Sequence, residues 1–150
     1  MVNWKILIIC FALVFGIGFF GSFFNTSSDW YDSVKPSITP PSFVFPIVWN
    51  ILFFMIALSL YFVWIGSRKK QRWKIGVIFG LNLFFNFLWS LLFFGLQKPV
   101  WAFFDLIFIW LTIWGMIFIT WKIDRKSSLL LIPYLVWVSF AVVLNLLIAF

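Results

Sequence analysis

Long runs of apolar residues, separated by short polar segments, divide the chain into five parts. The runs cover approximately residues 4–24, 43–66, 75–97, 99–121 and 127–149. A helix of about 20 apolar residues spans the hydrocarbon core of a bilayer. Because backbone groups in lipid must be hydrogen-bonded within the protein, open sheets are excluded. The pattern predicts an all-α integral membrane bundle of five transmembrane helices, with residues 1–150 forming a single domain.

The connection over residues 25–42 differs from the other, shorter connections. It contains Pro36, Pro40 and Pro41, and proline fixes φ and pushes the preceding residue toward extended geometry. Long connections within a compact domain are usually functional or disordered, and the prolines and aromatic residues here argue against disorder. We therefore predict a stiff, non-helical lid, followed by a helix that begins near Ser42.

The composition supports a membrane protein, since 65% of the residues are hydrophobic and only 10% are charged. The basic residues are unevenly distributed between the two sides of the predicted bundle. Nine lie on the side of the N-terminus, against Lys35 and Lys98 on the other: Lys5, Arg68, Lys69, Lys70, Arg72, Lys74, Lys122, Arg125 and Lys126. The positive-inside rule then predicts a cytoplasmic N-terminus, an external C-terminus and an external lid.

The net charge of +7 is explained by this topology and by attraction to anionic lipid headgroups. Nucleic-acid binding is not indicated, because the main basic cluster is confined to one short connection between helices. The first apolar run is too long for a signal peptide and is not followed by a small-residue cleavage site, so we interpret it as a retained helix.

Polar and tryptophan side chains within the apolar runs predict a site beneath the lid. Asn86 and Trp89 share one face of the third predicted helix, and Asp105 is the one ionisable side chain deep in a run. At 1.5 Å per residue, these residues, together with Trp49 and Trp137, fall in the outer half of the bundle. The alternative is that the polar side chains only bond neighbouring helices.

The residue types limit the chemistry of such a site. The chain has no histidine, and its cysteine and methionines are not clustered beneath the lid, so no metal site is predicted. No nucleophile–base pair and no paired carboxylates are present in the sequence, and Asp105 lacks a partner for acid–base catalysis. Enzyme activity is left undecided by these residues.

Several motifs in order along the chain resemble the TspO/translocator protein family, also called tryptophan-rich sensory proteins or peripheral benzodiazepine receptors. They are W-Y-D-S-V-K-P-S-I-T-P-P from Trp30, F-x-x-V-W ending at Trp49, L-N-x-x-x-N-x-L-W-S-x-L-F-F-G from Leu81, A-x-x-D-L from Ala102 and P-Y-L-x-W from Pro133. The resemblance runs from end to end and agrees with the predicted number of helices.

The resemblance implies a homodimer whose outer pocket binds porphyrins such as protoporphyrin IX and related tetrapyrroles, with a role in tetrapyrrole regulation or stress response. It also implies binding of benzodiazepine-site ligands. The porphyrin would be a ligand rather than a cofactor, with its propionates reaching Lys35 or backbone amides. The resemblance, together with the polar residues inside the apolar runs, predicts as ligand-binding residues Trp30, Tyr31, Pro41, Trp49, Asn86, Trp89, Asp105, Trp137 and Asn145.

Two other functions stay open at this point. Some bacterial members of that family break down protoporphyrin IX in light, and the matching catalytic residues would be Trp49 and Trp137. The second is transport of a sterol or another lipophile. It is less favoured, because no Lys or Arg follows Tyr134, as the sterol motif proposed for animal members requires, and because five helices give no even internal repeat.

Two groups of glycines offer surfaces for dimerisation. Gly76 and Gly80 form a G-x-x-x-G pattern in the third predicted helix, and Gly16, Gly18 and Gly21 lie in the first. Small residues permit close approach of membrane helices, either between two copies or within one chain.

Overall fold

The structure, a computed structural model, describes residues 1–24 and 28–150, and helices make up 84% of it. Its elements are α1 (Trp4–Ser22), α2 (Ser28–Val34), α3 (Val44–Gly66), α4 (Lys69–Ser90), a π-helical turn (Leu91–Gly95), α5 (Pro99–Trp121), α6 (Arg125–Leu130) and α7 (Ile132–Ala149). No strand occurs in the described residues. Five helical stretches are long and apolar enough to cross a membrane, which confirms the predicted fold class.

Helix α4 begins at Lys69, whereas the sequence predicts a start near residue 75. Lysine, arginine and glutamine favour helices, and the backbone N–H of Arg68 donates to Oε1 of Gln71 at 2.8 Å, which stabilises the first turn. The basic residues of this region therefore extend the membrane helix beyond its apolar part. The apolar run shows where the helix enters the lipid, near residue 75, but the helix itself begins earlier, at Lys69.

The predicted lid over residues 25–42 contains a short helix, α2, which the sequence reading did not predict. Residues 25–27 of that lid lie outside the described part of the chain. Helix α2 ends at Val34 because the proline at position 36 restricts Lys35 to non-helical geometry. Residues 35–43 are non-helical, as the three prolines predict, and α3 begins at Val44.

The predicted last helix, over residues 127–149, is divided into α6 and α7 around Leu131. Pro133 lacks the backbone N–H that would bond the carbonyl four residues earlier, so the helix cannot continue unchanged through this point. Asp124 caps α6, since its carboxylate accepts from the backbone N–H groups of Lys126 and Ser127.

The two ends of the bundle differ in how tightly they are packed. At the end that contains the N-terminus, α3 and α6 are joined by reciprocal hydrogen bonds between Ser59 and Ser127. The hydroxyl of Tyr61 also accepts from the backbone N–H of Asn3 at 3.0 Å there. Helix α5 packs against α4 and α7, and α1 packs against α3 and α4. At the opposite end, helices α1, α3, α4 and α7 surround a cavity.

Candidate functional site

A cavity of about 770 Å³ occupies the end of the bundle opposite the N-terminus and the nine basic residues on that side. Residues of α1, α2, α3, α4, the π-helical turn and α7, with Ser42 of the connection before α3, form its wall. They are Phe15, Ile17, Gly18, Phe19, Gly21, Ser22, Tyr31, Ser42, Phe45, Pro46, Trp49, Asn50, Phe53, Asn86, Trp89, Ser90, Phe93, Phe94, Ala141, Leu144, Asn145 and Ile148. The wall is mainly apolar and aromatic, with hydroxyl and amide groups at a few positions.

Helix α2 contributes Tyr31 to the cavity wall, and Trp30 packs behind that wall. The ring of Tyr31 lies edge-on to Phe93 and Phe94, with centroid separations of 6.0 and 5.8 Å. Trp30 packs edge-on against Phe93 at 5.4 Å. Burial raises the pKa of the Tyr31 phenol above its ordinary value, so the hydroxyl remains neutral at the cavity wall over the physiological range.

The π-helical turn places Phe93 and Phe94 beneath α2. Here the backbone N–H of Leu96 donates to the carbonyl of Leu91 at 2.8 Å, one residue further along than in an α-helix, and such single turns recur at functional sites. The ring of Phe93 stacks on Trp89 with centroids 4.9 Å apart and an interplanar angle of 15°. The two rings form a continuous aromatic surface on one side of the cavity.

Asn86 brings an amide to the cavity and is held there by a buried network. Its Nδ2 donates to the Tyr134 hydroxyl at 2.5 Å and to the carbonyl of Asn82 at 2.9 Å. The Tyr134 hydroxyl donates to Oδ1 of Asn82 at 3.1 Å, and Nδ2 of Asn82 donates to Oγ1 of Thr112 at 2.9 Å. The network ties α4 to α5 and α7. With Nδ2 turned toward Tyr134, Oδ1 of Asn86 has no hydrogen bond from the described residues.

The indole of Trp89 is fixed by Asn145 on α7. Its Nε1 donates to Oδ1 of Asn145 at 3.1 Å, and Nδ2 of Asn145 donates to the carbonyl of Pro99 at 2.9 Å. Both residues line the cavity. These bonds satisfy the polar atoms of a nearly apolar region and hold the indole in one orientation, which favours a preformed wall.

The profile of the TspO/MBR family matches residues 9–150. The chain belongs to the TspO/MBR family. It is 40% identical to the tryptophan-rich protein TspO of Chlorobaculum tepidum over 143 residues, which cover 93% of this chain and 90% of that protein. It is 39% identical to the protein of the same name from Archaeoglobus fulgidus, over 93% of this chain and 92% of the relative. It is 34% identical to the translocator protein of Ovis aries, over 77% of this chain and 70% of the relative.

Of the nine predicted ligand-binding residues, five lie together in the cavity wall. They are Tyr31, Trp49, Asn86, Trp89 and Asn145. The interhelical bonding weighed as the alternative occurs in the same residues, because Asn86 and Asn145 bond neighbouring helices and also face the cavity. Bonding between helices and a position in the cavity wall therefore occur in the same residues of this TspO-family chain.

The structure does not bring Trp30, Pro41, Asp105 or Trp137 into the wall. Trp30 and Trp137 lie behind it, against Phe93 and Phe45 respectively. Pro41 is exposed in the connection before α3. Asp105 is only 5% exposed, and neither carboxylate oxygen has a hydrogen-bond partner among the described residues. It lies on α5, which packs on α4 and α7 and contributes nothing to the wall.

Sequence reasoning missed several residues that shape the cavity. Phe45 and Phe53 lie one turn to either side of Trp49 on α3, and this spacing of four residues could have identified them. The sequence does not predict the role of Tyr134, which anchors Asn86. The small-residue pattern of Gly18 and Gly21 predicts a dimerisation surface, whereas the structure places both in the cavity wall.

Proposed function

We propose that this membrane protein is a receptor that binds a porphyrin or a related tetrapyrrole in the cavity beneath α2. The observation that carries the proposal is the aromatic wall formed by Trp49, Phe53, Trp89 and Phe93. Ligand sites are typically about 300–1,000 Å³, mainly apolar, with a few placed polar groups. A cavity of about 770 Å³ with amide groups at three positions fits that description.

The amide of Asn86 supports a ligand that carries hydrogen-bond donors. Its Nδ2 is held by Tyr134 and Asn82, and Oδ1 is left as an acceptor at the cavity. A metal-free porphyrin has pyrrole N–H groups at its centre and flat apolar faces that stack on indole and phenyl rings. The same chemistry suits the planar aromatic ligands of the benzodiazepine site.

The charged groups of a porphyrin need a polar environment, and the mouth of the cavity supplies one. The described wall contains no charged side chain. Lys35, a predicted partner of the propionates, forms an ion pair with Asp32 at 2.6 Å on the surface. The polar residues Ser22, Ser42 and Asn50 lie in the wall, so we place the two propionates beside their hydroxyl and amide groups.

The test is a titration of the protein in nanodiscs with protoporphyrin IX, followed by tryptophan quenching and the shift of the porphyrin absorption band. We expect saturable binding at one site per chain. Trp49→Ala removes a large aromatic surface from the wall and should weaken binding by about tenfold or more. Trp114→Ala is the control, because Trp114 is 48% exposed on α5 and lies outside the wall. Binding that is unaffected by Trp49→Ala would contradict the proposal.

Light-driven breakdown of the porphyrin is a second candidate function, which the position of Trp49 in the wall favours. Illumination of the protein with bound protoporphyrin IX measures it directly, through loss of the porphyrin spectrum. Slower loss in Trp49→Phe, at equal occupancy, would support a photochemical role for this indole. Equal loss in both proteins would exclude a role for the Trp49 indole in the breakdown.

We also propose that the basic end of the bundle faces the cytoplasm of a prokaryotic cell and contacts anionic lipid. Cation–π contacts there join Arg72 to Trp64 and Arg125 to Trp121, at 5.4 and 5.2 Å, a combination suited to the headgroup region. Ser37→Cys and Lys69→Cys, each in a Cys10→Ala background, test the orientation. A membrane-impermeant maleimide added to intact cells should label only the first, and labelling of the second alone would reverse the proposed orientation.

A further inference from the structure

Gly18 of α1 and Phe53 of α3 meet unusually closely within the cavity wall. A Cβ atom built on Gly18 would lie 2.5 Å from Cε2 of Phe53, 3.0 Å from Cδ2 and 3.1 Å from Cζ. Carbon atoms pack favourably at about 3.5–4.0 Å. The phenyl ring therefore lies directly against the backbone of α1, in a space that exists only because residue 18 has no side chain.

The surroundings of the ring determine where it would move if that space were filled. Phe15, one turn earlier on α1, lies edge-on to it at 6.1 Å, and Trp49, one turn earlier on α3, lies at 5.5 Å. Gly18 and all three aromatic residues line the cavity. A side chain at position 18 would push the ring away from α1 by about 1 Å, and the open direction is the cavity itself.

We propose that Gly18 is a specificity-determining residue, which keeps the cavity broad enough for a flat macrocycle by seating Phe53 against the backbone of α1. The inference rests on the proposed binding function and adds that the width of the cavity beside Gly18 determines which ligands it accepts. A side chain at this position narrows the cavity beside Trp49. Such a cavity excludes a broad planar ring system and still accepts a narrow apolar ligand.

The chain offers a closely matched control at Gly16. It lies on the same helix, two residues away, and a Cβ atom built on it would have nothing within 4 Å. Gly16→Ala and Gly18→Ala make the same chemical change and give the same gain in helix propensity. Only the second disturbs Phe53, so a difference in binding between the two variants reports on the contact.

The experiment compares protoporphyrin IX with all-trans-retinoic acid, a narrow carboxylated lipophile, by tryptophan quenching in nanodiscs. Gly18→Ala should weaken porphyrin binding by about tenfold or more and change retinoic acid binding by less than about twofold. Gly16→Ala should match the wild type for both. Phe53→Leu in the Gly18→Ala background shortens the displaced side chain and should recover part of the lost porphyrin affinity, but not all of it, because the phenyl ring is itself part of the aromatic wall. Equal porphyrin affinities of Gly16→Ala and Gly18→Ala would overturn the inference.

A second readout does not depend on the porphyrin. In a Cys10→Ala background, Ser90→Cys places a thiol in the cavity wall, where it can react with ethyl and benzyl methanethiosulfonate. Gly18→Ala should lower the ratio of the benzyl to the ethyl reaction rate, whereas Gly16→Ala should leave this rate ratio unchanged. An unchanged rate ratio in Gly18→Ala would overturn the inference.

If the wild type fails to bind protoporphyrin IX, the proposed function fails, and the rate ratio still decides the role of Gly18. If Gly18→Ala does not fold, Phe53→Trp enlarges the same contact from α3 and should change the ratio in the same direction.

Discussion

Individual polar residues in this bundle serve two purposes, since they join helices and also position the wall of the cavity. Asn82 and Tyr134 are fully buried, and both bond Asn86, which is only 8% exposed and lines the cavity. Unpaired polar groups are costly in a membrane interior. The network therefore holds Asn86 in one orientation, with its amide oxygen at the cavity.

Removing one hydroxyl tests this arrangement. Tyr134→Phe leaves Oδ1 of Asn82 and Nδ2 of Asn86 each with one hydrogen bond fewer, and it should lower the free energy of unfolding by about 1 kcal/mol. It should also weaken porphyrin binding, because the Asn86 amide is no longer fixed. Thermal unfolding in detergent and the porphyrin titration measure the two effects.

Tyr61→Phe is the matched control, because the Tyr61 hydroxyl accepts a bond at the opposite end of the bundle, from Asn3. It should leave porphyrin affinity unchanged. A Tyr134→Phe protein that binds like the wild type would show that the network has no influence on the site.

The two tryptophans that the family resemblance singled out should differ in their effect on binding. Trp49 lies in the wall, whereas Trp137 contacts the wall residue Phe45 at 5.8 Å from behind. We expect Trp49→Phe to weaken protoporphyrin IX binding by several-fold more than Trp137→Phe, because it removes direct contact area with the ligand. Parallel titrations measure this, and equal losses would mean that the ligand displaces Phe45 to reach Trp137.

Among the elements, the π-helical turn Leu91–Gly95 sets the direction of Phe93 and Phe94. It accommodates one residue more than an α-helical turn would, so deletion of Leu92 should restore regular α-helix and rotate the residues that follow. We expect this deletion to retain the helical content by circular dichroism and to lose most of the porphyrin affinity. Leu92→Ala keeps the chain length and should bind normally, so equal binding by the two variants would exclude a role for the turn.

The elements also show which parts of the fold can be predicted from the sequence alone. Apolar length predicts five membrane helices because hydrocarbon thickness fixes the span, and the prolines at 36, 40 and 41 predict the non-helical stretch before α3. Three features depend on local caps and tertiary contacts: the start of α4 at Lys69, the short helix α2 and the π-helical turn. Hydrophobic periodicity carries no information about such contacts, so these features could not be predicted from it.

The same limit applies to the site. Asn86, Trp89 and Trp49 could be predicted because depth along a helix follows from residue number. Asp105 lies at a comparable depth, but depth does not specify which way a helix faces. Its position in the bundle depends on the packing of α5 against α4 and α7, and this packing separates it from the cavity.

At the scale of the whole molecule, the glycines divide into two groups with different surroundings. Gly18 and Gly21 of α1 meet Phe53 and Ser90 within the chain, whereas Gly76 and Gly80 of α4 have nothing within 4 Å. The α4 pair is exposed and is flanked by Trp73, Val77, Leu81 and Phe84, all of which are exposed. Packing within one copy of the chain therefore does not account for the G-x-x-x-G pattern.

We accordingly expect two copies of the chain to associate through this face of α4. Gly80→Leu introduces a side chain that prevents close approach of the helices, and it should shift the protein from dimer to monomer in mild detergent. Gly16→Leu is the matched control on α1, because Gly16 also has nothing within 4 Å. Light scattering with correction for bound detergent measures the mass of each variant. A dimer that persists in Gly80→Leu and is lost in Gly16→Leu would transfer the interface to α1, and persistence in both would exclude both glycine surfaces.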